Sequence, residues 1–179
     1  LSVSAGSRVN VSGGIVGTGL DALERSEVNV SSGSITDDFT VAGVLNVSGG
    51  SVGRFTASAG SEVNISGGVA QRFSQAFAST VNISGGTRSE WFNAFSGTIV
   101  NVTGGAIGPI FTAELGSEVN ISGGTLGVDF SARGGSVVNI SGGKIGAGFS
   151  DIGGSQISQL GAEVFLNGVP LTPVAVTTP

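Results

Sequence analysis

The feature that most constrains this chain is a tripeptide, Asn-(Ile/Val)-(Ser/Thr). It returns at Asn10, Asn29, Asn46, Asn64, Asn82, Asn101, Asn120 and Asn139, at spacings of 17 to 19 residues. A Gly-Gly pair follows at 13–14, 49–50, 67–68, 85–86, 104–105, 123–124 and 142–143, and the second unit has Ser32-Gly33 instead. A Phe then recurs as Phe39, Phe55, Phe73, Phe92, Phe111, Phe130 and Phe149, with Leu20 in its place in the first unit. A fixed period of this length marks a repeat architecture, in which each unit buries its apolar face only by stacking on its neighbours.

Inside a unit the pattern is strand-like. In Val119-Asn120-Ile121-Ser122 apolar and polar residues alternate, so Val and Ile face one side while Asn and Ser face the other. Gly-Gly breaks the strand and permits a sharp corner. Two further short segments, Thr125-Leu126-Gly127 and Phe130-Ser131-Ala132, complete the unit before Gly135-Ser136 turns the chain again. No stretch holds a helical period. The expectation is an all-β, right-handed parallel β-solenoid with three short strands per coil of about 18–19 residues and eight to nine coils. The drift of the period and the bulky Phe column favour the right hand. A left-handed coil, which prefers a strict hexapeptide rhythm, is the alternative. Val then stacks on Val, Ile on Ile, and the seven Phe form a ladder.

Composition narrows the function classes. The 179 residues hold 33 Gly but only 4 Pro, and the glycines lack a three-residue period, which excludes collagen. A hydrophobic share of 39% argues against disorder. Net charge −5 without a basic cluster makes nucleic acid an unsuitable partner. Cys and His are absent, which removes thiolate nucleophiles, Cys/His metal sites and a serine triad of the usual form. No cofactor or metal site is expected, and no apolar run approaches the ~18 residues of a membrane span.

The recurring Val-Asn-Ile-Ser-Gly-Gly unit resembles the Gly/Ser/Asn-rich parallel β-helix repeats of secreted bacterial surface proteins. The likeness extends from residue 1 to about 157. It implies an extracellular or cell-surface location, but it is weak for function, since β-helices carry lyases, hydrolases, ice-binding proteins and phage spikes alike.

The two ends differ. Residues 1–157 read as solenoid repeats, 158–172 as a C-terminal cap and 173–179 as a linker or tail. Within the cap, Glu163-Val164-Phe165-Leu166 and Val169-Pro170-Leu171 read as a hairpin turned at Asn167-Gly168. The first coil is in phase from Val9 and shows no cap, so it exposes an open strand edge. Leu1 is not a natural start, so the chain reads as a processed form or a fragment. The alternative is that another copy stacks head to tail on the open coil.

Three sets of residues are candidates for a role. The eight Asn match the N-glycosylation pattern, yet glycans at strand spacing would collide, so a structural amide ladder is the stronger reading. The same Asn and Ser columns resemble an ice-binding face, although Arg8, Glu27, Glu62 and Glu118 beside them spoil its regularity. The third set is the residue before each Phe, which includes Asp38, Arg54, Arg72 and Trp91. With Asp37, Arg88 and Glu90 these suggest a carbohydrate subsite, an aromatic platform flanked by polar groups, on one side of coils 2 to 5. A solvated ladder of alternating charge is the plainer reading. The expected function is therefore structural and non-enzymatic: a rigid rod, adhesin stalk or fibre subunit. A carbohydrate-binding or polysaccharide-degrading β-helix is the first alternative and an ice-binding protein the second.

Overall fold

The computed structural model describes residues 1–36, 38–71, 74–88, 90–159, 164–166 and 169–171. Every regular element among them is a β-strand, and none of them forms a helix long and apolar enough to cross a membrane. The coils stack as a parallel β-solenoid with three faces. An Asn face is built from strands such as Glu62–Ile65, Thr80–Ile83, Ile99–Val102 and Glu118–Ile121. A short face follows, with two-residue strands such as Val69–Ala70, Thr87–Arg88 and Ala106–Ile107. A Phe face of nine strands closes the coil, among them Phe55–Ala57, Ser74–Ala76 and Phe92–Ala94. In the first two coils one nine-residue strand, Arg8–Val16 or Glu27–Ile35, continues round the corner and joins the Asn and short faces into one sheet.

Register follows the repeat. On the Asn face Val63, Val81, Val100 and Val119 pair in sequence, as do Ile65, Ile83, Val102 and Ile121. These side chains are buried, and together with the Phe-face rings and Ala57, Ala76, Ala94 and Ala113 they fill the core. β-Branched residues at the inward positions suit an extended backbone and pack against their own copies above and below.

In most coils all three corners are made the same way, by a residue with left-handed φ. One lies after the Asn face, as at Gly86 (φ 70°). The second precedes the Phe face, at Gly19, Asp38, Trp91, Ile110, Asp129 and Gly148. The third leads back to the Asn face, at Gly60, Gly97, Gly116 and Gly135, with Arg25 and Ala78 at this corner in two other coils. The glycine pair meets two separate demands. Gly86 supplies the positive φ, whereas Gly85 has no such φ but lies so close to the coil below that a Cβ would strike the Ser66 carbonyl.

The Phe ladder holds with one substitution. Ring centroids are 6.0 Å apart for Phe39–Phe55, 5.2 Å for Phe92–Phe111, 4.8 Å for Phe111–Phe130 and 5.2 Å for Phe130–Phe149. The expectation for Phe73 falls outside the described residues. In that coil Ser74 is in register with the ladder: Ser74 pairs with Phe92, while Gln75 and Ala76 pair with Thr56 and Ala57. Ser74 is buried, and Ala70 of the same coil fills the short-face core position where other coils place Val52, Ile107 or Leu126. Two small residues leave room in the core, and Arg88 of the next coil fills it.

Arg88 thus corrects the sequence reading that set it on the outer surface. Its side chain points inward, in register with Ala70 and Ile107, and only 1% of it is exposed. The guanidinium carbon lies 4.0 Å from the Phe92 ring centroid and 5.1 Å from that of Phe55. Among the described residues none of its three side-chain nitrogens has a hydrogen-bond partner. Cation–π contact on two rings contributes about 2 kcal/mol when desolvated. An unpaired buried charge costs several kcal/mol, so the site is a net burden on the fold.

At the far end, Val164–Leu166 pairs in parallel with Lys144–Ile145 on the short face, and Val169–Leu171 pairs back on it antiparallel. The turn expected at Asn167-Gly168 lies outside the described residues, as do Glu163 and residues 172–179.

Candidate functional site

Two outer surfaces carry the residues singled out in the sequence. The first is the Asn column. Strand alternation turns each Asn outward, and parallel stacking places it above the previous one. The amides form an unbroken chain. Asn29 Nδ2 donates to Asn10 Oδ1 at 3.0 Å, and the same bond repeats for Asn46, Asn64, Asn82, Asn101, Asn120 and Asn139, each donating to the Asn of the preceding coil at 2.8–3.0 Å. Neighbouring carboxylates join in: Glu27 Oε1 accepts from Asn29 and Glu118 Oε1 from Asn120, both at 3.0 Å. The Asn29 amide, and then Arg8 at 2.7 Å, hold the Glu27 carboxyl below its usual range. Seven of the eight amide nitrogens are therefore engaged, which is an ordering role rather than a reactive one.

The second surface is the outer side of the Phe face, with the left-handed corner that precedes it. Asp38 and Arg54 come together here as a two-point ion pair, Nε to Oδ1 and Nη2 to Oδ2. Hydrogen bonding from Arg54 lowers the Asp38 pKa, so the carboxyl stays ionised and is no proton donor at neutral pH. Beside the pair runs a groove of about 360 Å³ lined by Asp38, Phe39, Thr40, Arg54, Thr56 and Gln75. Thr40, Thr56 and Gln75 are successive outward residues of adjacent strands. Asn93 pairs with Gln75 and continues the column, and Trp91, 42% exposed, stands two residues before it.

Of the residues proposed for this surface, the structure brings Asp38 and Arg54 into contact and sets Trp91 in the same corner column. Arg72 and Asp37 fall outside the described residues. Glu90 is half-buried at the corner, and Arg88 belongs to the core. The groove residues Thr40, Thr56 and Gln75 escaped the sequence reading. The outward middle position of each Phe-face strand would have found them. Among the described residues no group of three acidic, His or Cys side chains comes together as a metal site would require. No protein family, characterised protein or solved structure matches the chain.

Proposed function

We propose that this chain is a structural module, a rigid rod that sets a distance or presents a surface rather than performing catalysis. The observation that supports it is the uninterrupted parallel register of the Phe face, with nine strands and one coil stacked directly on the next. At ~4.8 Å per coil this makes a rod of roughly 40 Å. Secretion or surface display follows from the resemblance of the repeat, and roles as a stalk or fibre subunit suit such a body. The nine-residue edge strand Arg8–Val16, with Ile15 76% exposed, is the surface on which a further coil, such as one from a second copy, would stack.

Small-angle scattering and negative-stain electron microscopy of the purified chain test this together. Elongated particles about twice as long as wide, extending end to end as concentration rises, support the rod and its stacking. Compact particles defeat the rod, and rods of fixed length at all concentrations defeat the stacking.

A further inference from the structure

The open edge of the first coil carries three groups left over from the stacking. Asn10 is exposed, and although its Oδ1 accepts from Asn29, its Nδ2 is the one amide of the ladder that donates to no other. Val9 is half-buried on the core, whereas Val28, in register with it, is buried. Arg8 stands in the outward column that Glu27, Glu62 and Glu118 occupy in later coils, and it is the single cation of that column. Glu27 holds the Arg8 Nε and Nη2, yet 65% of the arginine side chain is exposed, and a guanidinium has five N–H donors to share. Among the described residues, strand Arg8–Val16 pairs on one side only, with Glu27–Ile35.

Given the stacking surface assigned to the rod, on which this reading rests, we propose that the edge takes a parallel strand of the form Glu-(Val/Ile)-Asn-(Val/Ile), supplied by a coil of the same repeat on a partner chain. In register with Arg8–Val11, the partner's carboxylate accepts from the spare N–H groups of Arg8, which then lies between two Glu. Its Asn Oδ1 accepts from Asn10 Nδ2, and its apolar residue covers Val9. The fit copies a contact already present in the stack. There Glu27, Val28 and Asn29 lie in register with Arg8, Val9 and Asn10, at 2.7 Å for the ion pair and 3.0 Å for the amides. Charge selects among strands of this kind: a carboxylate complements Arg8, and a cation at the same place is repelled. The chain's own last Asn-face strand is the poorer match. Gln156–Gln159 sets Gln156 and Ser158 at the Glu and Asn places and puts Gln159 in register with Ile140 of the apolar column. A second copy therefore ranks behind a coil that ends on Glu-Val-Asn-Ile.

Fluorescence anisotropy of a labelled peptide titrated with the whole chain tests the proposal. The probe is the sequence of Gly116–Ala132, which contains Glu118-Val119-Asn120-Ile121. The wild-type chain should bind it, and hydrogen exchange should slow at Arg8–Val11 when it is added. A peptide carrying Glu118→Lys should bind about fivefold more weakly, the size of one exposed ion pair. In the Arg8→Glu chain the order should reverse, with the Lys peptide bound better than the Glu peptide. That reversal survives any fraying of the edge, because both peptides meet the same chain. Asn10→Leu should also weaken the Glu peptide, while Lys144→Glu, a charge reversal on the short face, should leave it unchanged. No binding of the probe, equal binding of the Glu and Lys peptides, no reversal with Arg8→Glu, or protection away from Arg8–Val16 would each overturn the partner. So would self-stacking of the chain that excess peptide fails to inhibit, which would put a second copy on this edge. Particle shape reads the rod separately: elongated particles that bind no peptide leave the rod standing and remove only the partner.

Discussion

Two residues carry costs that a different side chain at the same place would avoid. Ile110 is β-branched and sits at φ 62° in the corner column, where Gly148 stands two coils later. A left-handed conformation costs an L-residue about 1–2 kcal/mol, and a β-branched one more. Ile110→Gly should therefore stabilise the chain by about 1 kcal/mol, once the greater freedom of glycine in the unfolded state is subtracted. A rise of a few degrees in the thermal midpoint would show it, and an unchanged or lower midpoint would mean that Ile110 packing outweighs the strain. Arg88 costs more. Replacing it with Leu, the residue at the equivalent place in the coil of Leu126, should stabilise by about 1–4 kcal/mol in urea titrations. The effect also has a pH signature. Burial holds the guanidinium pKa down to about 9, well below that of an exposed guanidinium, so in the alkaline range above 9 the unfolded chain binds more protons and stability rises with pH. The wild type should gain on the Arg88→Leu chain as pH climbs above 9, and the gap should be widest below it. The alkaline window is clean, because the chain has no Tyr or Cys and Lys144 is its single lysine.

At the level of strands and corners, the amide chain and the glycine pairs divide the work. Asn82 makes two ladder bonds and Asn10 one, so Asn82→Ala should cost about 1–3 kcal/mol and Asn10→Ala about half of that, measured by chemical denaturation. Gly85→Ala drives a methyl into the Ser66 carbonyl and should abolish cooperative folding or lower the midpoint sharply. Gly13→Ala is the control: nothing lies within 4 Å of a Cβ at that position, and the change should be nearly neutral. Equal effects at both positions would show that glycine matters here through the unfolded chain rather than through close approach. Much of this was legible, because a stacked repeat forces its own register: the Val, Ile and Asn columns are read directly from spacing. The close approach at Gly85 was not, since a composition of corners does not reveal how near the adjacent backbone lies. The place of Ser74 was concealed by a compensation. The Asn-to-Asn interval across that coil is 18 residues, as in its neighbour, and Phe73 stands nine residues after Asn64 just as Phe55, a ladder residue, stands nine after Asn46. Spacing therefore gives no warning, and only the pairing of Ser74 with Phe92 reveals which residue holds the ladder position. Arg88 misled for the same reason: a charged residue is assigned outward unless the coil beneath is known to lack bulk. The groove was half visible, with Asp38, Arg54 and Trp91 named but their pairing set by corners that only coordinates display.

Over the whole molecule, stability should vary along the axis, since each coil touches only its neighbours. Hydrogen exchange ought to reveal slow amides at Asn101 and Asn120 and fast ones on the open strand Arg8–Val16, with a second dip where Arg88, Ala70 and Ser74 thin the core. A smooth profile lacking that interior dip would show that the cation is better accommodated than its missing partners suggest. The asparagine chain has one further consequence. Each of its amides donates toward the N-terminal coil, from Asn139 down to Asn10, so their dipoles point one way and add along the axis, much as peptide units do in a helix. The chain of amides is thus electrically polar: its free amide hydrogen lies at the Asn10 end, and its last carbonyl oxygen, on Asn139, lies beneath Ser158 of the next strand. Two copies brought together head to tail would extend this alignment, while head to head would set like poles against each other. In the proposed stacking, this column would set the direction in which copies meet.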